Sequence, residues 1–418
     1  MLMKKRISLA GFSRFIISSI FILPLLVAVQ DAEALSQWAR KYKVDCSTCH
    51  FAFPRVNYFG EQFKRNGYQW PGEPADGDTE AKEKLSKNLF IDNVGNWFGA
   101  RLSLTPLKYV AEGQKRNGVD EDTINVGNTN WLQFFVGGSI FKDVSIFIEQ
   151  EMETDGSKTN WFYMNFTNLA GSYANFQIGR LSPVDFTPLS DRLRAWQKSD
   201  VMNLKSSGGK GENSQDIRSP RPGIQYYGYQ GPFVWFAGVD NGKDSTDTDK
   251  DKNYWGGGKL EIPDSVKSAF VGSGIGFHYY QGTDTSGGLG STATSLQRTN
   301  DFRRYTVSAD IRYKTDLELQ FAYQYGEDEN YTLAASPVYA DFDGYTATGA
   351  YRLRDWYYIL QYDRVRSSRI ANIDVDKLSP SAWYFLRDNW KVGVATRFDV
   401  GDSPVRKHEV ALEIETMF

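Results

Sequence analysis

The sequence predicts an all-β fold: a transmembrane antiparallel β-barrel of about 16 strands, preceded in the chain by a small segment that lodges in it. Three observations carry this. From about residue 96 onward, short segments alternate apolar and polar residues, so each strand turns one face to an apolar medium and the other to water. Tight turns and long polar loops follow one another in regular alternation along the same stretch. No stretch beyond the N-terminus approaches the roughly 18 consecutive apolar residues of a spanning helix, and the chain closes on an alternating strand that ends in Phe418.

Composition narrows the function classes. The 418 residues carry 48 Lys+Arg against 51 Asp+Glu, a net charge of −3, and without a basic excess nucleic acid is a poor partner. Two cysteines and three histidines argue against a disulfide scaffold and against a zinc site with several ligands.

Taken in chain order, residues 1–34 read as a secretory signal. Lys4, Lys5 and Arg6 form its positive start, 16–29 its apolar run and Ala32-Glu33-Ala34 its cleavage site, so the mature chain is expected to begin at Leu35. Residues 35–88 hold a short aromatic-rich segment and a Glu/Lys/Pro-rich linker, and 89–418 the barrel. In 304–313, Tyr305, Val307, Ala309, Ile311 and Tyr313 share one face and Arg304, Thr306, Ser308, Asp310 and Arg312 the other. Segments 317–325, 390–400 and 409–418 repeat the pattern. Tight turns are expected at 141–143, 231–232, 314–316, 354–355 and 388–389, and long loops near 111–127, 185–220, 240–253, 282–301, 327–342 and 367–379. Trp356, Tyr358, Tyr362 and Trp390 on outward faces would form interfacial girdles against outer-membrane lipid.

Cys46-Ser47-Thr48-Cys49-His50 is the C-x-x-C-H of covalent haem attachment. Both thiols must reach the two vinyl groups of one porphyrin while the adjacent imidazole meets the iron, and this spacing allows it. The motif takes both cysteines of the chain and one of its three histidines. A redox dithiol would belong beside a βαβ unit, which the sequence lacks, and zinc would need His278 and His408 from far along the chain. Phe51, Phe53, Tyr58, Phe59, Phe63, Tyr68 and Trp70 supply rings that enclose a flat macrocycle or pack a small core. A segment this short rarely holds a core alone, so it is expected to lodge in the barrel mouth.

The run from Cys46 through Pro54, Asn57, Gly60, Phe63 and Gly67 to Tyr68 resembles the fused outer-membrane monohaem cytochrome-porins of iron-oxidising bacteria, as does the order of signal, haem segment, barrel and terminal Phe. The resemblance implies one haem c on Cys46 and Cys49 with His50 on its iron. It further implies a one-electron iron oxidase that takes electrons from extracellular Fe(II) and passes them to a periplasmic c-type cytochrome. Two other readings stay open: a diffusion porin whose haem segment is a plug or redox gate, and a conduit for another extracellular donor or acceptor.

No Met or His lies between Phe51 and Glu151, so a distal haem ligand must come from the barrel or be absent. Strand phase points Met152, Met164 and His408 outward. The candidates are Met202, in a 185–220 loop able to fold inward like the third external loop of sixteen-stranded porins; Met417, facing the lumen at the turn end; and His278, facing the lumen towards the outer rim. Two acidic features complete the reading. Asp240, Asp244, Asp247, Asp249 and Asp251 stand in one outer loop, and Glu149, Glu151 and Glu153 form a lumen stripe able to guide cations inward.

Overall fold

The computed structural model describes residues 36–71, 83–86, 89–91, 94–112, 121–141, 143–190, 197–209, 216–242, 250–286, 298–367, 369–370, 373–401 and 406–418. The expected signal sequence, most of the linker, and Asp244, Asp247 and Asp249 lie outside these residues.

Sixteen antiparallel strands close into a barrel. They are β1 Phe98–Glu112, β2 Glu121–Phe141, β3 Val144–Glu153, β4 Gly156–Phe166, β5 Asn175–Leu181, β6 Arg221–Gln230, β7 Phe233–Asp240 and β8 Asn253–Glu261. The second half comprises β9 Gly274–Ser286, β10 Arg298–Tyr313, β11 Leu317–Asp328, β12 Ala340–Leu353, β13 Trp356–Arg366, β14 Val375–Arg387, β15 Trp390–Asp399 and β16 Lys407–Met417. Each strand pairs with its sequence neighbour, and β16 closes the ring on β1 from Lys407↔Glu112 to Met417↔Arg101. Phe418 completes the seam, its N–H donating to Ala100 O at 2.8 Å and its carbonyl accepting from Ala100 N. Closure leaves no unpaired edge, which an apolar medium would not tolerate.

Side-chain alternation sets the polarity of the two surfaces. On β10, Arg304, Thr306, Ser308, Asp310 and Arg312 are buried inside, while Tyr305, Val307, Ile311 and Tyr313 face out and are exposed. On β11, Glu318, Gln320, Ala322 and Gln324 point inward against outward Leu319, Phe321 and Tyr323. Met152 and Met164 face outward as the phase predicts. Outward aromatics gather in two belts, Tyr279 with Tyr305 and Tyr325 nearer the loop end and Trp356 with Tyr358 and Tyr384 nearer the turn end. Along β10, Tyr305 and Tyr313 are roughly 20 Å apart on the barrel axis, at about 3.3 Å per residue and a tilt of about 40°. That is close to the height of the apolar band of such barrels.

The tight connections between β2–β3, β6–β7, β10–β11, β12–β13 and β14–β15 all lie at one end. Asp143, Lys314 and Arg354 take positive φ there, as does Gly231, the residue type to which that conformation costs nothing. At the other end the loops are shorter than the polarity pattern suggests. The 111–127 loop shrinks because β1 and β2 stay paired through Val110↔Thr123 to Glu112↔Glu121, and β9 and β10 remain paired out to Ser286↔Arg298. Polar residues beyond an apolar layer keep their backbone ladder, since pairing does not need alternation. The β3–β4 connection at this end is only Thr154-Asp155.

Part of the lumen is filled by the chain itself. The connection between β5 and β6 folds inward as expected, with Gln324 Nε2 donating to Val201 O at 3.1 Å and the Ser207 N–H to Asp328 Oδ1 at 3.2 Å. Its Val184, Phe186, Met202 and Ile217 pack with Tyr227, Phe236 and Tyr280 of the wall. Asp240 is not a surface carboxylate: it closes β7, is buried in the lumen and lies 3.9 Å from Arg221.

Leu360 lies on the outward face of β13 between the belts. Leu360→Arg is expected to destabilise the barrel by about 2–4 kcal/mol in bilayers, read as a shift of the denaturant midpoint of refolding in lipid vesicles.

Candidate functional site

The segment ahead of the barrel is built from two short helices and a turn. Helix α1 (Gln37–Tyr42) ends at Lys43, in the left-handed conformation, and a single 3-10 turn spans Cys46–Thr48. A small hairpin pairs His50–Ala52 with Arg55–Val56, and helix α2 (Tyr58–Arg65) follows. Asn57 joins these parts. Its side-chain oxygen caps α2 by accepting from Gly60 N at 2.9 Å, and its amide donates to Ser47 O at 3.2 Å and Thr48 O at 3.0 Å. Gly60 lets α2 press against the cysteine turn, because a Cβ there would fall 2.3 Å from Cys49 O.

The chemistry of the motif is set by burial and one hydrogen bond. Cys46 and Cys49 are both free thiols. His50 Nδ1 lies 3.1 Å from Pro54 O. A carbonyl can only accept, so Nδ1 carries the proton and Nε2 keeps a lone pair, the tautomer of an imidazole prepared for a metal. Burial lowers the His50 pKa to about 4 and keeps the ring neutral at ordinary pH. Burial also pushes the Cys46 and Cys49 thiols up to about 11 and about 12, the opposite of the lowered pKa that activates a redox dithiol.

Both thiols and His50 line a cavity of about 110 Å³. Its walls are mainly apolar: Trp38, Tyr42, Phe53, Phe63, Tyr68 and Trp70 from the segment, and Phe135, Phe147 and Met417 from the barrel. Four polar atoms of lining residues are buried without a hydrogen-bond partner: both amide atoms of Gln37, Trp38 Nε1 and Arg101 Nε. An apolar slot rimmed by orphaned donors and a guanidinium suits a flat macrocycle with anionic substituents. The residues therefore fit a haem c, with Cys46 and Cys49 to bond it, His50 to meet its iron, and Gln37, Trp38 and Arg101 to receive its carboxylates.

Of the three distal candidates, only Met417 lines this cavity. Met202 is buried in the lumen cluster with Phe186 and Tyr227. His278 does face inward, but it stands near mid-height, because β9 continues to Ser286; there it stacks on Phe236 at 6.0 Å. The expected rings divide their work. Phe53, Phe63, Tyr68 and Trp70 line the cavity, Phe51 packs on Tyr357 of the wall, and Phe59 supports Trp70 at 4.9 Å. Sequence reasoning missed Gln37, Trp38, Tyr42 and Arg101. The i, i+4 pair Trp38 and Tyr42 was a readable signal; Arg101 was not, since it is one of many inward-facing charges of the wall.

Charge pins the segment to the barrel. Arg55 Nε donates to Glu318 at 3.0 and 3.1 Å, and Arg55 Nη2 lies 3.3 Å from Asp310, all three side chains being almost wholly buried. Glu61 meets Arg312 at 2.6 Å and Lys259 at 3.3 Å, Arg65 meets Glu261, and Lys64 meets Asp185 at 2.9 Å. Lys391 Nζ donates to Phe53 O at 3.1 Å and Arg352 Nη1 to Phe51 O at 2.9 Å. Arg55→Met leaves buried carboxylates short of a cation and is expected to cost about 3 kcal/mol. The loss should appear in the denaturation midpoint and as raised ion conductance in planar bilayers, and adding Glu318→Gln should recover part of it.

Comparison with protein families gives no match, nor does comparison with curated proteins. Solved structures do match. The chain resembles an anion-selective porin from Comamonas acidovorans (TM-score 0.56, 12% identity, 77% of this chain and 99% of that one). It is similar also to the outer membrane channel DcaP of Acinetobacter baumannii (TM-score 0.53, 13% identity, 81% of this chain and 100% of that one). At these identities the likeness concerns the fold, and the fold is that of the outer-membrane porins.

Proposed function

We propose that this chain is an outer-membrane electron conduit: it oxidises extracellular Fe(II) and delivers the electron, through one haem c on Cys46 and Cys49, to a periplasmic c-type cytochrome. The cavity that unites the C-x-x-C-H motif with Met417 at the turn end of the barrel carries this reading. When bound, the haem supplies reversible one-electron chemistry, and the protein sets its ligation, exposure and surroundings. His50, held by Pro54 O, would hold the haem iron from the motif, and Met417, which the closing strand brings to the same cavity, would be available as a second ligand. A Met/His pair raises the potential, as suits an acceptor of electrons from iron.

Outer-membrane residence follows from the apolar exterior and its aromatic belts, with the turn end facing the periplasm. A conduit is favoured over a gated diffusion porin because the segment is locked to the wall by buried ion pairs, where a movable gate needs contacts cheap to break. Moving the electron inward also leaves insoluble Fe(III) outside the cell.

Anaerobic mixing of the oxidised, detergent-solubilised protein with Fe(II) near neutral pH tests the proposal. The haem bands should shift to the reduced form with one electron taken up per chain, and the Cys46→Ala/Cys49→Ala variant should carry no covalent haem. Intact haem that stays oxidised with Fe(II) yet responds to a stronger reductant would sink the iron reading. Met417→Ala is expected to lower the haem midpoint potential and change its spin state in absorption and EPR spectra; an unaltered spectrum would exclude Met417 as ligand.

A further inference from the structure

A second cavity, of about 470 Å³ and predominantly polar, adjoins the first and shares Arg101 and Glu149 with it. Its lining comes mainly from β1–β4 and from β14–β16. It lies below the β3–β4 connection, where only Thr154-Asp155 joins two strands at the loop end and both residues are exposed. The inward-folded β5–β6 connection lines part of the cavity through Gln197, Lys198, Arg218, Ser219 and Pro220. Among the described residues the cavity follows the inner face of β3, from Glu153 to Glu149 at the first cavity.

That face carries Glu153, Glu151 and Glu149, at alternate positions and about 7 Å apart. Glu153 is exposed at the mouth, and Glu151 and Glu149 are 6% and 3% exposed. Glu149 accepts from Gln133 Nε2 at 3.0 Å and Asn160 Nδ2 at 3.1 Å; Glu151 accepts from the same two amides and meets Lys158 at 2.9 Å. Two buried carboxylates are thus held side by side by shared neutral amides. Gln133, 8% exposed, also brings its Oε1 to this wall, and that oxygen has no hydrogen-bond partner. Of the basic residues that line the cavity, Lys158 meets Glu151 and Glu153, Arg180 donates to Asn160 O at 2.9 Å, Arg218 donates to Asn203 Oδ1 at 2.6 Å, and Arg101 lies 3.7 Å from Glu415; Lys198 is the fifth.

We propose that Glu149, Glu151 and Gln133 form a binding site for a hydrated divalent cation, fed from the loop end through Glu153. Carboxylate and amide oxygens are the donors that hard and borderline divalent ions prefer, and a roomy polar cavity lets the ion keep part of its water. A carboxylate-lined cleft between low-dielectric walls also concentrates cations along its length. Resting on the function proposed above, the site is where Fe(II) as substrate waits beside the first cavity, with Glu149 common to both.

The test uses the full holoprotein and Mn(II) as a redox-inert probe, followed by loss of its six-line EPR signal. One Mn(II) should bind per chain, and Glu149→Gln/Glu151→Gln should weaken binding at least tenfold. Glu151→Gln, which lines only the polar cavity, should weaken it in the same direction and slow haem reduction by Fe(II), with the haem spectrum and reduction by dithionite, an anion, unchanged. Glu151→Gln alone, whose partner Lys158 is exposed to water, carries the test should the double variant fail to assemble. No Mn(II) binding, or equal binding by wild type and variant, overturns the site. Variant-sensitive Mn(II) binding in a protein whose haem Fe(II) cannot reduce upholds the site and overturns only the iron-oxidising reading.

Discussion

The N-terminal segment cannot hold itself together, and the barrel wall supplies what it lacks. Two helices of six and eight residues and a two-rung hairpin bury too little apolar surface for a core of their own. Phe135, Phe147 and Met417 of the wall complete the apolar lining, and buried charges fix the position. Arg55 between Asp310 and Glu318, and Glu61 among Arg65, Lys259 and Arg312, are ion pairs whose desolvation is offset by several partners each. Breaking one pair exposes its neighbours to an uncompensated charge, so the contact works as a unit and gives a single docked position. The cavity around Cys46, Cys49 and His50 exists only in that position.

The inverted polarity of the barrel makes this possible. Its outer surface spends the apolar residues, leaving an interior rich in Arg, Lys, Asp and Glu. A polar lumen admits water and ions by default. Here part of it is closed by the inward β5–β6 connection, whose Phe186 and Met202 build an aromatic floor with Tyr227 and Phe236. Among the described residues two adjoining spaces of opposite character stand beside it: an apolar one at the turn end beside the cysteine motif, and a polar one below the Thr154-Asp155 connection.

The motif shows how local chemistry and tertiary support combine. Asn57 and Gly60 shape the cysteine turn from within the segment, and both stand at readable offsets from Cys49. Pro54, four residues after His50, fixes the imidazole tautomer through its carbonyl. These are short-range effects, contained in a run of some twenty residues. Arg101 and Met417 reach the same cavity from the two strands that close the barrel, at the seam Met417↔Arg101.

The sequence by itself determined the strand count, the inward and outward faces and the turn end, because period-two alternation and turn residues are local properties of the chain. It also placed Cys46, Cys49 and His50, the residues of the proposed haem attachment, within five positions of one another. The tertiary structure decided which of Met202, Met417 and His278 reaches that motif, how far the strands run beyond the apolar layer, and which lumen charges pin the segment. Those depend on the vertical position of a residue in the closed ring and on side chains separated by 250 residues or more, as Arg55 and Asp310 are. Alternation says which face a side chain takes; only register and closure say what stands opposite it.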